Sequence, residues 1–191
     1  IIMLDKVELI EKLLPRCDHL LLTGGIANSC LATLGFNVGS SLRTKDIDVL
    51  MRIKDILVQY KDKIMLPVDA IISRVYQESL VEHVNIDKVA DDDVILDIGM
   101  KTINKYKEVI FVNGTAGKYE DIRFATGTRE LLEAITESKA IKIVGGGDGV
   151  SAVKHFKLGE KFTFLSTGGG ATLEYIINEG LPAIENIPDA Q

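Results

Sequence analysis

Nine of the 17 glycines fall in three clusters, Gly24-Gly25, Gly145-Gly146-Gly147 with Gly149, and Gly168-Gly169-Gly170. Each cluster follows a predicted strand and opens a predicted helix. A helix start leaves backbone N–H groups unpaired and carries partial positive charge, and without a Cβ an anion can approach that backbone closely. The chemistry this favours is phosphate capture at the carboxyl ends of strands. Tight βα turns alone would also use glycine. Asp148 stands inside the second cluster, where a carboxylate repels phosphate unless a cation bridges the two. That reading points to a magnesium nucleotide; the other is an Asp N-cap for a helix beginning near Val150. A further polar loop, Asn113-Gly114-Thr115-Ala116-Gly117-Lys118-Tyr119-Glu120, follows another strand. Its Glu120 could accept ribose hydroxyls, or favour a helix start through its charge.

Named phosphate motifs narrow the ligand. Gly114-Thr115-Ala116-Gly117-Lys118-Tyr119 has too few residues between its glycines for a Walker loop, and no small hydroxyl follows the lysine. Gly147-Asp148-Gly149-Val150-Ser151-Ala152 fits a dinucleotide fingerprint, but the ribose-holding acid expected at the end of the next strand is replaced by Ser166-Thr167-Gly168. The NAD reading weakens accordingly.

These loops need a scaffold that delivers them to one edge. Nearly continuous apolar runs predict strands at His19–Thr23, Val94–Ile98, Val109–Val112, Ala140–Val144 and Phe162–Ser166. Amphipathic spacing predicts helices over Asp5–Leu14, Gly25–Leu34, Asp46–Tyr60, Tyr119–Glu137, Val150–Phe156 and Ala171–Asn178. Their alternation implies an α/β fold of three layers, α/β/α, around a mainly parallel sheet. Ala70–Val75 and Leu80–Ile86 read as two strands with no helix between them, a small antiparallel accessory around residues 68–90. Asp91-Asp92-Asp93 reads as a solvated turn, with a metal site as the minority alternative.

The 191 residues, 46% apolar and 26% charged, suit one domain with a full core. Two cysteines, Cys17 and Cys30, fit a reducing, cytoplasmic setting rather than a disulfide framework. No apolar run reaches the roughly 18 residues of a membrane span, so membrane insertion is not expected. The net charge of −6, with Lys and Arg scattered, argues against nucleic acid as a partner. His19, His83 and His155 lie far apart in sequence and suggest no metal site.

In this order the loops resemble the C-terminal, nucleotide-binding domain of the phosphoglycerate kinase family, a Rossmann-like lobe. The carrying segments are Ile143-Val144-Gly145-Gly146-Gly147-Asp148 and Ser166-Thr167-Gly168-Gly169-Gly170-Ala171-Thr172-Leu173-Glu174. Gly24-Gly25-Ile26-Ala27, Leu66-Pro67-Val68-Asp69, Leu96-Asp97-Ile98-Gly99, Asn113-Gly114 with Gly117 and Glu120, and Leu181-Pro182 support them. The resemblance implies reversible phosphoryl transfer between ADP and 1,3-bisphosphoglycerate in glycolysis, with magnesium. Residues 1–191 would be the nucleotide lobe alone, the lobe for 3-phosphoglycerate lying outside this sequence, and the chain is expected to be a monomer. By the same resemblance Gly24, Gly25 and Leu96 would border the adenine and Glu120 would hold the ribose. Asn113, Gly146, Gly147, Asp148 and Gly149 would line the phosphates, with Asp148 on magnesium. Thr167, Gly168 and Gly169 would be the catalytic positions, presenting N–H groups to the phosphoryl in flight. Four departures stand out: Ile2 aligns with a phosphate-binding lysine, Gly149 replaces a Ser or Thr, Thr115 replaces a Pro, and Ile95 stands where a glycine commonly borders the base. The missing lysine and Ser or Thr contacts motivate an alternative, a non-catalytic interaction module that has lost nucleotide binding.

Overall fold

The computed structural model describes residues 2–74, 77–106, 111–138, 141–178 and 180–181. Val75, Val109, Ile110, Ala140 and Pro182, which belong to segments singled out above, lie outside them.

Helix α1 (Ile2–Leu13), strand β1 (Leu20–Leu21), helices α2 (Gly24–Thr33) and α3 (Ile47–Gln59) and strand β2 (Ile64–Met65) come first. Strands β1 and β2 pair in parallel. Helix α3 begins where the Asp46 carboxylate accepts the N–H groups of Asp48 and Val49 at 3.0 and 3.2 Å, satisfying donors that the helix cannot satisfy itself. The spacing of Val49, Ile53, Ile56 and Leu57 gives α3 one apolar stripe, buried against Val7 and Ile10 of α1 and Ile26 and Cys30 of α2.

Strands β3 (Asp69–Arg74), β4 (Gln77–Asn85) and β5 (Asp93–Ile98) form an antiparallel sheet in the order β4-β3-β5. The antiparallel part is therefore larger than the sequence reading made it. Val94–Ile98, read there as a parallel strand, pairs antiparallel with β3. A continuous apolar run reports that both faces are covered, not which way the neighbour runs; Asp69 to Ser73 of β3 are all buried. The acidic run leading into β5 is also only partly solvated. Asp91 and Asp92 are exposed, whereas Asp93 is 2% exposed and its Oδ2 accepts the Ala90 N–H at 2.8 Å.

Helix α4 (Met100–Tyr106), strand β6 (Phe111–Asn113), helix α5 (Thr126–Thr136), strand β7 (Ile143–Gly145), helix α6 (Gly147–His155), strand β8 (Phe164–Ser166) and helix α7 (Gly169–Asn178) complete the chain. The sheet β6-β7-β8 is parallel throughout. Leu132 and Ile135 of α5 and Val150 and Val153 of α6 bury Val144 of β7. The single helix expected over Tyr119–Glu137 is interrupted: a 3-10 turn occupies Ile122–Phe124, and α5 starts only at Thr126. The Asp121 side chain accepts the Arg123 N–H at 3.1 Å, a local bond that competes with helix continuation. Among the described residues the fold is α/β, with parallel strands flanked by helices and one antiparallel sheet.

Candidate functional site

The three parallel strands end level. Asn113 pairs with Gly145, and Gly145 pairs with Ser166, so the loops after β6, β7 and β8 leave the sheet side by side. The glycines then let the loops touch. A Cβ on Gly149 would lie 2.9 Å from Val144 Cγ1 and 3.3 Å from the Gly114 nitrogen, and one on Gly169 would lie 2.8 Å from Gly146 Cα. Side chains at these positions would force the turns apart. Gly146 has φ +89°, in the left-handed region that favours glycine, and its N–H donates to the Ser166 carbonyl at 2.9 Å. The first turn of α7 is tied to the end of β8 by the Thr172 N–H, which donates to the Gly168 carbonyl at 2.6 Å, and by a bond between the Ser166 and Thr172 hydroxyls. Gly24 joins the same edge, because the Thr23 hydroxyl next to it donates to the Thr115 carbonyl at 3.4 Å.

The starts of α2 to α6 can be compared. Three are served by aspartates: Asp46 caps α3, Asp69 accepts the Lys101 and Thr102 N–H groups of α4 at 3.0 and 2.8 Å, and Asp97 accepts the Gly127 N–H of α5 at 2.7 Å. Helices α2 and α6 have N-caps at Thr23 and Gly146, and neither is capped by a side chain. Both of these starts are glycine-rich. Backbone N–H groups without a protein acceptor at a positive helix end are suited to an anion.

Beside this edge lies a cleft of about 240 Å³, lined by Gly24, Gly25, Leu31, Ile95, Leu96 and Thr115 among others. Its floor is irregular for a reason. Asp97 pairs with Ile71 and Ile95 with Ile72, so Leu96 is the extra residue of a β-bulge. The bulge turns the Leu96 carbonyl to the Lys118 N–H, which donates to it at 3.0 Å and brings the loop after β6 against β5.

The positions singled out in the sequence are therefore neighbours in two groups. Gly24, Gly25 and Leu96 share the cleft, with Ile95 in its wall. Gly146, Gly149 and Gly169 meet along the edge, where Gly147, Thr167 and Gly168 are exposed. Asn113 ends β6 at this level. Asp148 is exposed and lies at the second position of α6 rather than at its N-cap, which is Gly146, so the capping role considered from sequence does not apply. Burial raises the Tyr119 phenol above its usual range, the charges of Glu120 and Asp148 add to this, and a bond to Ser151 opposes it. Among the described residues no three His, Cys, Asp or Glu side chains gather as a metal cage. An exposed carboxylate beside an open helix start still fits magnesium, an ion that takes hard oxygen ligands from one or two carboxylates, phosphate and water.

Sequence reasoning gave no role to Asp97 and did not single out Thr128; both are buried, and Asp97 lines the cleft. Asp97 had a signal, a carboxylate inside the apolar run Val94–Ile98. Thr128 had none.

A family model described as phosphoglycerate kinase matches residues 3–179. The phosphoglycerate kinase of Lactobacillus gasseri is 36% identical over 192 residues, covering 97% of this chain and 47% of its own length. That of Francisella philomiragia is 38% identical over 190 residues, covering 94% and 48%. The solved phosphoglycerate kinase of Coxiella burnetii superposes with a TM-score of 0.85 at 35% identity, over 94% of this chain and 48% of that one. The enzyme of Pyrococcus horikoshii gives 0.80 at 27% identity, over 96% and 48%. The chain spans about half the length of the relatives it matches.

Proposed function

Because the chain belongs to the phosphoglycerate kinase family, we propose that it is the nucleotide-holding lobe of a kinase that moves a phosphoryl group reversibly between 1,3-bisphosphoglycerate and ADP. In the forward direction the bond from phosphorus to the acyl oxygen breaks, a bond to the ADP β-phosphate oxygen forms, and 3-phosphoglycerate leaves as a carboxylate. Gly24, Gly25 and Leu96 border the adenine, and Glu120 holds the ribose. Asn113, Gly146, Gly147 and Gly149 line the phosphates, and Asp148 would hold magnesium, which when bound neutralises phosphate charge. Thr167, Gly168 and Gly169 present N–H groups to the transferring phosphoryl. Their contribution is positioning and electrostatic stabilisation of spread negative charge. The acyl phosphate would be held by a second lobe, which faces this edge when the reactants align. A reducing cytoplasm is the proposed setting. Among the described residues no helix is long and apolar enough to cross a membrane.

One observation carries this reading: α2 and α6, whose N-cap residues Thr23 and Gly146 make no side-chain cap bond, start on glycine-rich turns at the edge where Thr23 bonds Thr115 and Gly169 packs on Gly146. The crowding at Gly149 also bears on the alternative of a lapsed module. A side chain there would meet Val144 and Gly114, so the absent hydroxyl accompanies a closely fitted edge rather than a collapsed one. Isothermal titration with magnesium and ADP is the test. The expected outcome is weak, saturable binding together with a rise in melting temperature, since a ligand selective for the folded state must stabilise it. Absence of both binding heat and stabilisation at millimolar nucleotide overturns the proposal.

A further inference from the structure

The wall of the cleft formed by Thr115 to Lys118 carries no secondary structure of its own beyond bends, yet its conformation sets the shape of the space above Leu96. Two buried side chains stand behind it. The Thr128 hydroxyl oxygen, on a residue 2% exposed, accepts both the Ala116 N–H at 3.2 Å and the Gly117 N–H at 3.1 Å. Thr128 is itself set by its helix start: the Gly127 N–H donates at 2.7 Å to Asp97 Oδ2, while Asp97 Oδ1 accepts its own strand's Ile98 N–H at 2.9 Å. Asp97 fits only because two glycines flank it, since a Cβ on Gly117 or on Gly127 would overlap the carboxylate. Strand β5, the start of α5 and the cleft wall are thereby joined through two side chains, beside the backbone bond from Lys118 to Leu96.

We propose that Thr128 and Asp97 are positioning residues for the nucleotide base, holding the Ala116-Gly117 turn at the distance from Leu96 that the base requires. The proposal rests on the nucleotide reading above. It assigns the pair to the base side of the ligand, through the Ala116-Gly117 turn that lines the cleft with Leu96.

Thr128→Val keeps the shape and removes the acceptor, whereas Thr128→Ser keeps the acceptor. The expected result for Thr128→Val is about a tenfold rise in Kd for magnesium ADP with the affinity for magnesium tripolyphosphate unchanged, and recovery in Thr128→Ser. Equal weakening of both ligands, or no weakening of ADP, overturns the proposal. Amide hydrogen exchange reads the tether without any nucleotide. In the unsubstituted chain Ala116 and Gly117 should exchange more slowly than neighbouring loop amides, and in Thr128→Val about tenfold faster than before. Fast exchange of both amides in the unsubstituted chain overturns the tether even if the valine variant fails to fold. Absence of ADP binding by the unsubstituted chain overturns the nucleotide reading itself, a result distinct from a valine variant that binds ADP normally.

Discussion

Asp97, proposed above as a positioning residue, also ties the stability of the fold to pH. The carboxyl is 1% exposed, and burial raises its pKa from the ordinary 3.8 to about 7, the bonds from Gly127 and Ile98 acting in the opposite direction. The unfolded chain releases this proton near the ordinary value, and the folded chain keeps it until near neutrality. Between those limits the folded state holds more protons, so stability from this group is full below the lower value, falls as pH rises, and levels off above the upper one. Asp97→Asn removes the titration. Urea unfolding at about pH 4.5 and about pH 7.5 should therefore show a smaller loss of stability with rising pH in the variant than in the parent; parallel losses would disprove the assignment. The residue was visible in the sequence as an acid within an apolar strand, but its partners were not. Gly117 and Gly127 lie 20 and 30 residues further along the chain, and nothing in local spacing reports that they close around it.

At the scale of elements, the distinction between helices closed by aspartate and helices left open can be tested from the closed side. Asp46 holds two N–H groups at the start of α3, far along the chain from the glycine turns. Asp46→Ala should lower stability by about 1 kcal/mol, read from urea unfolding, and leave the Kd for magnesium ADP unchanged. A change in nucleotide affinity as large as that in stability would mean that capping and binding are not separable. Helix α3 was also the element most readable from sequence, since a cap and a sustained apolar period agree over Asp46–Tyr60. Helix α4 was missed because it is 7 residues long and its cap, Asp69, comes from a strand some thirty residues before it. Strand β5 was seen but given the wrong neighbours, and β2, with two residues, is too short to carry a period. The glycine turns were legible because glycine next to a strand end is a local signal. Which turns touch is set by strand register, and that is a long-range property.

The whole molecule makes its edge by adding short contacts. Three strand ends lie in one register row, and the glycine turns beyond them close the remaining gaps, Gly149 on Gly114 and Gly169 on Gly146. If the edge acts as one phosphate receptor, prising apart a single pair of turns should weaken phosphate binding while sparing the base cleft, whose walls come from α2, β5 and the Thr115–Lys118 loop. Gly169→Ala makes that change. Its Cβ would lie 2.8 Å from Gly146 Cα, and because that neighbour is backbone, the strain is relieved by moving one loop and not by turning a side chain. The variant is expected to raise the Kd for magnesium ADP by about tenfold or more, to weaken tripolyphosphate by a similar factor, and to bind adenosine as the parent does. Thermal melting separates this from general damage, since a locally displaced turn should melt close to the parent in the absence of ligand. A variant that melts normally and binds ADP and tripolyphosphate as the parent does would show that the loops act independently. The edge would then be a row of separate turns, and the continuity on which the kinase reading depends would be lost.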